Sequence, residues 1–114
     1  MDKYTFLLKK SYYAFNKRDI DEALSTMHRE VIWSYDTEGG CARGHDEVRS
    51  YWTRQWEFID PDFEPVHITV KGNGHILADV RHVVRDLNEN LISDQIVQHV
   101  YFIEDGLIKN MEML

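Results

Sequence analysis

The chain is poor in cysteine, in positive charge, in long apolar runs and in low-complexity sequence, and each shortage removes a class of function. Cys41 is the only cysteine among 114 residues, so no disulfide forms within the chain and a reducing compartment fits. It stands in Gly39-Gly40-Cys41-Ala42 with no sequence signal for activation, and a reactive thiol needs a lowered pKa. The formal net charge is −7. Broad affinity for nucleic acid requires a net positive face, so no nucleic-acid partner is expected; an acidic surface favours solubility. No stretch approaches the roughly 20 apolar residues of a membrane span. The segment Met1 to Lys10 is too short in apolar residues, and too interrupted by charge, for a signal peptide. The expected location is the cytoplasm, with no membrane partner. Hydrophobic residues at 43% and charged residues at 29%, without biased tracts, describe a folded chain with a core. Its length is that of one domain spanning 1–114.

The order of elements is the strongest signal present. Tyr4, Leu7, Leu8, Ser11, Tyr12 and Phe15 recur at helical spacing, which predicts an amphipathic helix over 2–17. Asp19 with Glu22 three residues on forms a capping pair for a second helix, whose buried stripe is Ile20, Ala23, Leu24 and Met27. Residues 31–36 alternate as a strand, and Gly39-Gly40 breaks it. A third helix is expected over 45–59, with Val48, Trp52, Gln55, Trp56 and Ile59 near one face, ended by Asp60-Pro61. Four strands follow over 63–70, 75–87, 91–103 and 107–113, joined by short turns, as in an antiparallel meander. Helices before strands, without βα alternation, give an α+β fold. Long strands beside three helices curl around them, and a curled sheet with a helical lid encloses a pocket.

Strand alternation sorts the side chains by face. Trp33, Tyr35, Val80, His82, Val97, His99, Tyr101 and Met111 form the expected inner set. It mixes large apolar groups with a few polar atoms, as small-molecule sites do. On the last strand Leu107, Lys109, Met111 and Met113 oppose Ile108, Asn110 and Glu112. The other sheet face carries Val83, Ile96, Val100 and Phe102, and a homodimer through that face is the economical way to cover it.

Four segments carry a family resemblance: Ala14-Phe15-Asn16-Lys17-Arg18-Asp19-Ile20-Asp21, Val31-Ile32-Trp33, Gly44-His45-Asp46-Glu47-Val48 and Asp105-Gly106-Leu107-Ile108. With them the chain resembles the nuclear-transport-factor-2-like superfamily, in its small bacterial branch with ketosteroid isomerase and the SnoaL-like polyketide cyclases. The resemblance covers nearly the whole chain. It implies a cystatin-like α+β barrel: a cone-shaped curved antiparallel sheet, mixed at its edge, wrapped around three N-terminal helices. Such proteins are often dimers and include isomerases, cyclases, dehydratases, hydrolases and binding modules, so the fold does not settle activity. The isomerase pattern itself fits badly. Its general-base aspartate position corresponds to Tyr35, with Asp36 of opposite parity beside it. Its oxyanion tyrosine corresponds to Ser11, with Tyr12 adjacent, and the partner aspartate falls near His99 or Gln98.

His99 and His82 are the acid/base candidates, because imidazole titrates near neutral pH; the bland alternative is a histidine satisfied by a backbone carbonyl or a carboxylate. Tyr35 or Tyr101 could donate to a substrate oxyanion, or simply fill the core. Trp33, Trp52, Trp56, Val80, Val97, Tyr101 and Met111 are expected to line the ligand site. The six histidines show neither the i, i+2 spacing of strand ligands nor the i, i+3 or i+4 spacing of helical ones, so no metal is expected, and no cofactor. Two functions follow. One is a cofactor-independent isomerase, cyclase or dehydratase acting on a small apolar carbonyl compound. The other is a non-catalytic small-ligand binder or dimeric accessory protein.

Overall fold

The computed structural model describes residues 2–36 and 38–114. Helix α1, Lys3–Asn16, is capped by Asp2, whose carboxylate accepts from the Thr5 amide at 2.9 Å. Its buried stripe is Leu8, Ser11, Tyr12 and Phe15, the spacing that turns one face to a core. Helix α2 is one short turn, Ile20–Leu24, capped by Asp19. The expected helical place of Met27 is corrected: Met27 opens strand β1, Met27–Ser34. The Ser25 and Thr26 hydroxyls donate back to Glu22 and Ala23 carbonyls, and the Thr26 carbonyl accepts from the Ile108 amide at 2.9 Å. The helix is thereby closed and the chain drawn into the sheet.

Strand β2, Cys41–Arg43, pairs antiparallel with β1, Trp33 opposite Ala42. Local pattern places these three residues in a loop, because so short an edge strand has no period to detect. Helix α3 runs Gly44–Gln55, ending four residues earlier than expected. Residues 56–58 form a turn, and Ile59, assigned to the helix end, opens β3, Ile59–Gly72, with Pro61 opposite Val84. Proline is tolerated because β3 is an edge strand and its missing N–H costs no ladder bond. An Arg18–Asp60 ion pair ties this corner to the end of α1. Strands β4, His75–Asp86, β5, Leu91–Glu104, and β6, Leu107–Met113, complete one sheet in the order β2-β1-β6-β5-β4-β3. All neighbours are antiparallel except β1 and β6. The β3–β4 turn closes tightly on β5. Gly74 has φ +78, the Ile103 amide donates to its carbonyl at 2.8 Å, and a Cβ there would lie 2.6 Å from the Ile103 carbonyl oxygen. Only glycine fits both the left-handed backbone and that approach.

A bulge in the β5–β6 ladder changes one face assignment. Tyr101 opposes Met111, yet Ile103 opposes Ile108, so one extra residue lies on β6. Ile108 and Met111 are therefore both buried, and Ile108 belongs to the inner set rather than the outer one. The core lies between the concave sheet and α1 and α3. It is an aromatic stack in which Trp52 meets Phe15 edge-on at 5.1 Å and Trp33 at 5.5 Å. Among the described residues no helix is long and apolar enough to cross a membrane.

Candidate functional site

The polar groups of the interior converge near the middle of the cone. Tyr12 on α1 and His99 and Tyr101 on β5 are all buried. The Tyr101 hydroxyl donates to the Tyr12 hydroxyl at 2.7 Å, and the Tyr12 oxygen lies 3.0 Å from His99 Nδ1. A helix side chain and two residues of one strand, at least 87 positions apart in sequence, thus form one chain of hydrogen bonds. His82, one strand over on β4, is half-buried. Its ring stacks on that of its cross-strand partner Phe63, with centroids 4.3 Å apart and planes 7° from parallel. Phe63 also approaches His99 at 5.4 Å.

His99 and His82 share the lining of a cavity of ≈ 70 Å³ at the cone mouth, with Tyr35, Trp33, Trp52 and Met111 also in its wall. Trp56, Val80, Val97 and Tyr101 do not line it. Val80 and Tyr101 are core residues with no exposed surface, and Val97 packs against that core. Trp56 covers Phe15 from outside, under the Arg18 guanidinium. Tyr35 stands at the rim, stacked on Tyr51 with ring centroids 4.4 Å apart. Its ring fills the space a side chain on Gly40 would need. Ser11 is buried, while its neighbour Tyr12 makes the contact to His99. The position next to the one aligned with the isomerase tyrosine is therefore the hydrogen-bonded one. Sequence inspection sees both residues on the inner stripe of α1, but only the tertiary contact separates them.

Burial dominates the electrostatics. It holds the His99 pKa down, to about 4, with the neighbouring His82 charge as the second cause. Burial also lowers the His82 pKa, and raises those of Tyr12 and Tyr101 well above the usual phenol value. At neutral pH both histidines are uncharged and both tyrosines protonated. The arrangement can offer neutral hydrogen bonds to a ligand in a dry site, where such bonds are strongest.

Two other features lie outside the cavity shared by His99 and His82. A larger groove of ≈ 840 Å³ runs between α1 and the β3–β4 edge, past Phe6, Lys9, Tyr13, Phe63, Arg81 and Arg85. It is bigger and carries charged side chains of both signs, Lys10, Asp62 and Glu64 among them, but neither His82 nor His99 lines it, although Tyr12 and Phe63 do. His28, Glu104 and Asp105 bring one ligand atom each within 4.8 Å of the others, a cluster no sequence spacing reveals. Its chemistry does not suit a cation: His28 Nδ1 accepts from the Glu30 amide at 3.0 Å, whereas a histidine bound to metal through Nε2 donates from Nδ1.

The comparisons with known proteins meet this geometry from the other side. The family model of the SnoaL-like domain matches residues 8–111. The chain belongs to the SnoaL-like family. No curated protein sequence matches it. Among solved structures it is similar to a nuclear-transport-factor-2-like protein of unknown function from Burkholderia pseudomallei, at 24% identity, 100% of this chain, 91% of that chain and TM-score 0.86. It is also similar to a protein from Mycobacterium tuberculosis in complex with estradiol-17β-hemisuccinate, at 13% identity, 99% and 93% coverage and TM-score 0.84. An epoxide hydrolase of M. tuberculosis shares 15% identity over 97% of this chain and 80% of that one, TM-score 0.80. At these identities the likeness establishes the cone fold, and this SnoaL-like domain must be read for function from its own residues.

Proposed function

We propose that this SnoaL-like domain is a cofactor-independent enzyme of the isomerase, cyclase or dehydratase kind acting on a small apolar carbonyl compound. The observation that carries the reading is the convergence of His99 and His82 on one aromatic-walled cavity, with His99 braced from behind by Tyr12. A substrate carbonyl oxygen accepts from the imidazole of His99. Neutral His82 then takes a proton from the carbon next to the carbonyl, and the developing enolate oxygen is held by His99. The proton returns from His82 to the substrate at another carbon, or the enolate carbon attacks a second carbonyl carbon of the same molecule, whose C=O π bond opens as its oxygen takes the proton from His82, so no external reductant or oxidant enters. Tyr35 at the rim supplies a second donor. Tyr101 lies behind Tyr12 and takes no ligand. This gives His99 the part of hydrogen-bond donor and His82 that of base.

The test needs no knowledge of the natural substrate. Small cyclic ketones in D₂O are followed by proton NMR for loss of the signal next to the carbonyl. Exchange above the buffer rate is expected. His82→Ala should lower it by about 10²–10⁴-fold and His99→Ala by about 10²–10³-fold. Exchange at the buffer rate across a panel of ketones would sink the enzyme reading.

The second reading, a non-catalytic binder, is favoured by the small cavity and by the ligand-bound relative with the same fold. It predicts a ligand that raises thermal stability and is recovered unchanged. In both readings the outer face of β4 and β5 supports a homodimer: Ile96 is 59% exposed there and Val83, Val100 and Phe102 are incompletely covered. Sedimentation should show a dimer that Ile96→Lys converts to monomer; a monomeric parent chain removes that proposal.

A further inference from the structure

We infer that Tyr101 and Tyr12 act in series to lock His99 as the Nε2–H tautomer, so that the cavity selects ligands presenting a bare acceptor oxygen (a carbonyl, enolate or carboxylate). The inference rests on the reading of His99 as the ligand-contacting group and adds to it which atom is offered and what chemistry it accepts.

It follows from counting protons. Each tyrosine has one hydroxyl proton, and Tyr101 is fully buried with Tyr12 as its hydrogen-bond partner. Suppose Tyr101 donates to Tyr12. The Tyr12 proton is then free for His99 Nδ1, which must carry a lone pair, and the imidazole proton sits on Nε2. Both tyrosine protons are used, and the N–H left over in this chain of hydrogen bonds is that of His99, a residue that lines the cavity. Suppose instead that His99 donates from Nδ1 to Tyr12. Either Tyr12 then donates to Tyr101 and the Tyr101 proton is left in the core, or Tyr12 accepts from both neighbours and its own proton is left over; in both cases a buried hydroxyl proton has no acceptor among the described residues. Buried donors without acceptors are strongly disfavoured, so the first arrangement holds.

The imidazole cannot then charge without placing an Nδ1 proton against the Tyr12 proton. The titratable groups around it offer no compensation: Tyr12 from α1, Tyr101 from β5 and His82 from β4 are neutral or repel a cation, and no carboxylate hydrogen-bonds to the ring among the described residues. The lowered His99 pKa agrees with this geometry. Tyr12 and Tyr101 are positioning residues. Neither lines the mouth cavity, and their effect on a ligand passes through the ring they orient. A ligand group that must itself donate, such as an ammonium or a protonated amine, meets a donor at Nε2 and is rejected.

The experiment is nitrogen-15 NMR of the histidine rings in the intact protein, at neutral and at mildly acidic pH. His99 is expected to show a bare Nδ1 and a protonated Nε2 under both conditions. In Tyr12→Phe the ring should become a mixture of tautomers and titrate at higher pH, an effect that lost packing alone does not produce. The wild-type spectrum is decisive even where that variant folds poorly: a protonated Nδ1, or a ring that charges with the ordinary histidine pKa, overturns the relay. Acetate and cyclopentanone, as compact acceptor probes, should shift the Nε2 proton downfield, and methylammonium should not. Equal response to all three overturns the ligand selectivity. A correct tautomer together with absent ketone exchange would refute the enzymatic reading and leave the relay standing.

Discussion

Replacing Trp52 by alanine should cost about 4 kcal/mol of stability, the largest loss expected from any single side chain in the protein. Trp52 is 2% exposed and lies where helix α3 meets the sheet. It contacts Phe15 edge-on, Trp33 edge-on and Trp56 at a tilt. Truncation removes the largest apolar surface in the core and leaves a cavity whose walls come from three different elements, so partial collapse cannot fill it. Against a total stability of roughly 5–15 kcal/mol for a domain of this kind, that is a large fraction. Urea unfolding should show a lower midpoint with an unchanged slope. Trp56→Ala should cost less than half as much. Trp56 is only partly buried, and its Nε1 is buried without a partner among the described residues, so part of what it gains from packing is already offset. Equal losses at the two positions would mean that the core is not centred on Trp52.

Acidification should destabilise the protein before any carboxylate titrates. The His99 pKa is depressed from 6.5 to about 4 in the folded chain. Between those values the unfolded state binds a proton that the folded state refuses, so stability rises with pH across that window. The contribution is complete above about pH 6.5, falls as pH drops, and levels off below about pH 4. At 1.36 kcal/mol per unit the full span is roughly 3 kcal/mol, of which about 2 is gone by pH 5. His82, also lowered by burial, adds in the same direction. Asp86 and Asp94 have lowered pKa values from their hydrogen bonds to Asn90 and Arg81. Their contributions are lost only as pH falls below the ordinary carboxylate range, so the interval above about pH 5 belongs to the histidines. Urea unfolding at about pH 7 and about pH 5 checks this. The parent chain should lose about 2 kcal/mol or more, and His99→Gln should keep only the slope that His82 contributes. A parent chain equally stable at both pH values would show that His99 is accessible to protons in the native state.

The two predictions draw on information of different kinds. Trp52 is legible in the sequence: Val48 and Trp52 share a face at i, i+4 in a segment with charged residues between them, and such a stripe is buried by helical geometry whatever it packs against. The low pKa of His99 is not legible. The alternation of β5 turns His99 and Tyr101 to the same face, but whether that face is wet or dry depends on Tyr12, brought across from the first helix. The errors of reading follow the same division. The end of α3 is misplaced because Pro61 is a helix breaker locally but sits on an edge strand in the folded sheet. Ile108 is put on the wrong face because a one-residue bulge is invisible to a period-two pattern and inverts everything beyond it. Of the residues named for the ligand site, Trp33, Trp52 and Met111 line the cavity and Trp56, Val80, Val97 and Tyr101 do not, since strand parity gives direction and not depth.

By itself the sequence determined the order of the three helices and the five longer strands, the α+β class, the amphipathic faces of α1 and α3 and the inward side of β4 and β5. All of these follow from local periodicity and turn chemistry, which act between residues a few positions apart. The tertiary structure decided the parallel pairing of β1 with β6, the three-residue strand β2, the clustering of His28 with Glu104 and Asp105, and the Tyr101–Tyr12–His99 chain. These join residues tens of positions apart. Their formation depends on loop closure and on which buried polar groups must find a partner once water is excluded, and no local pattern records that.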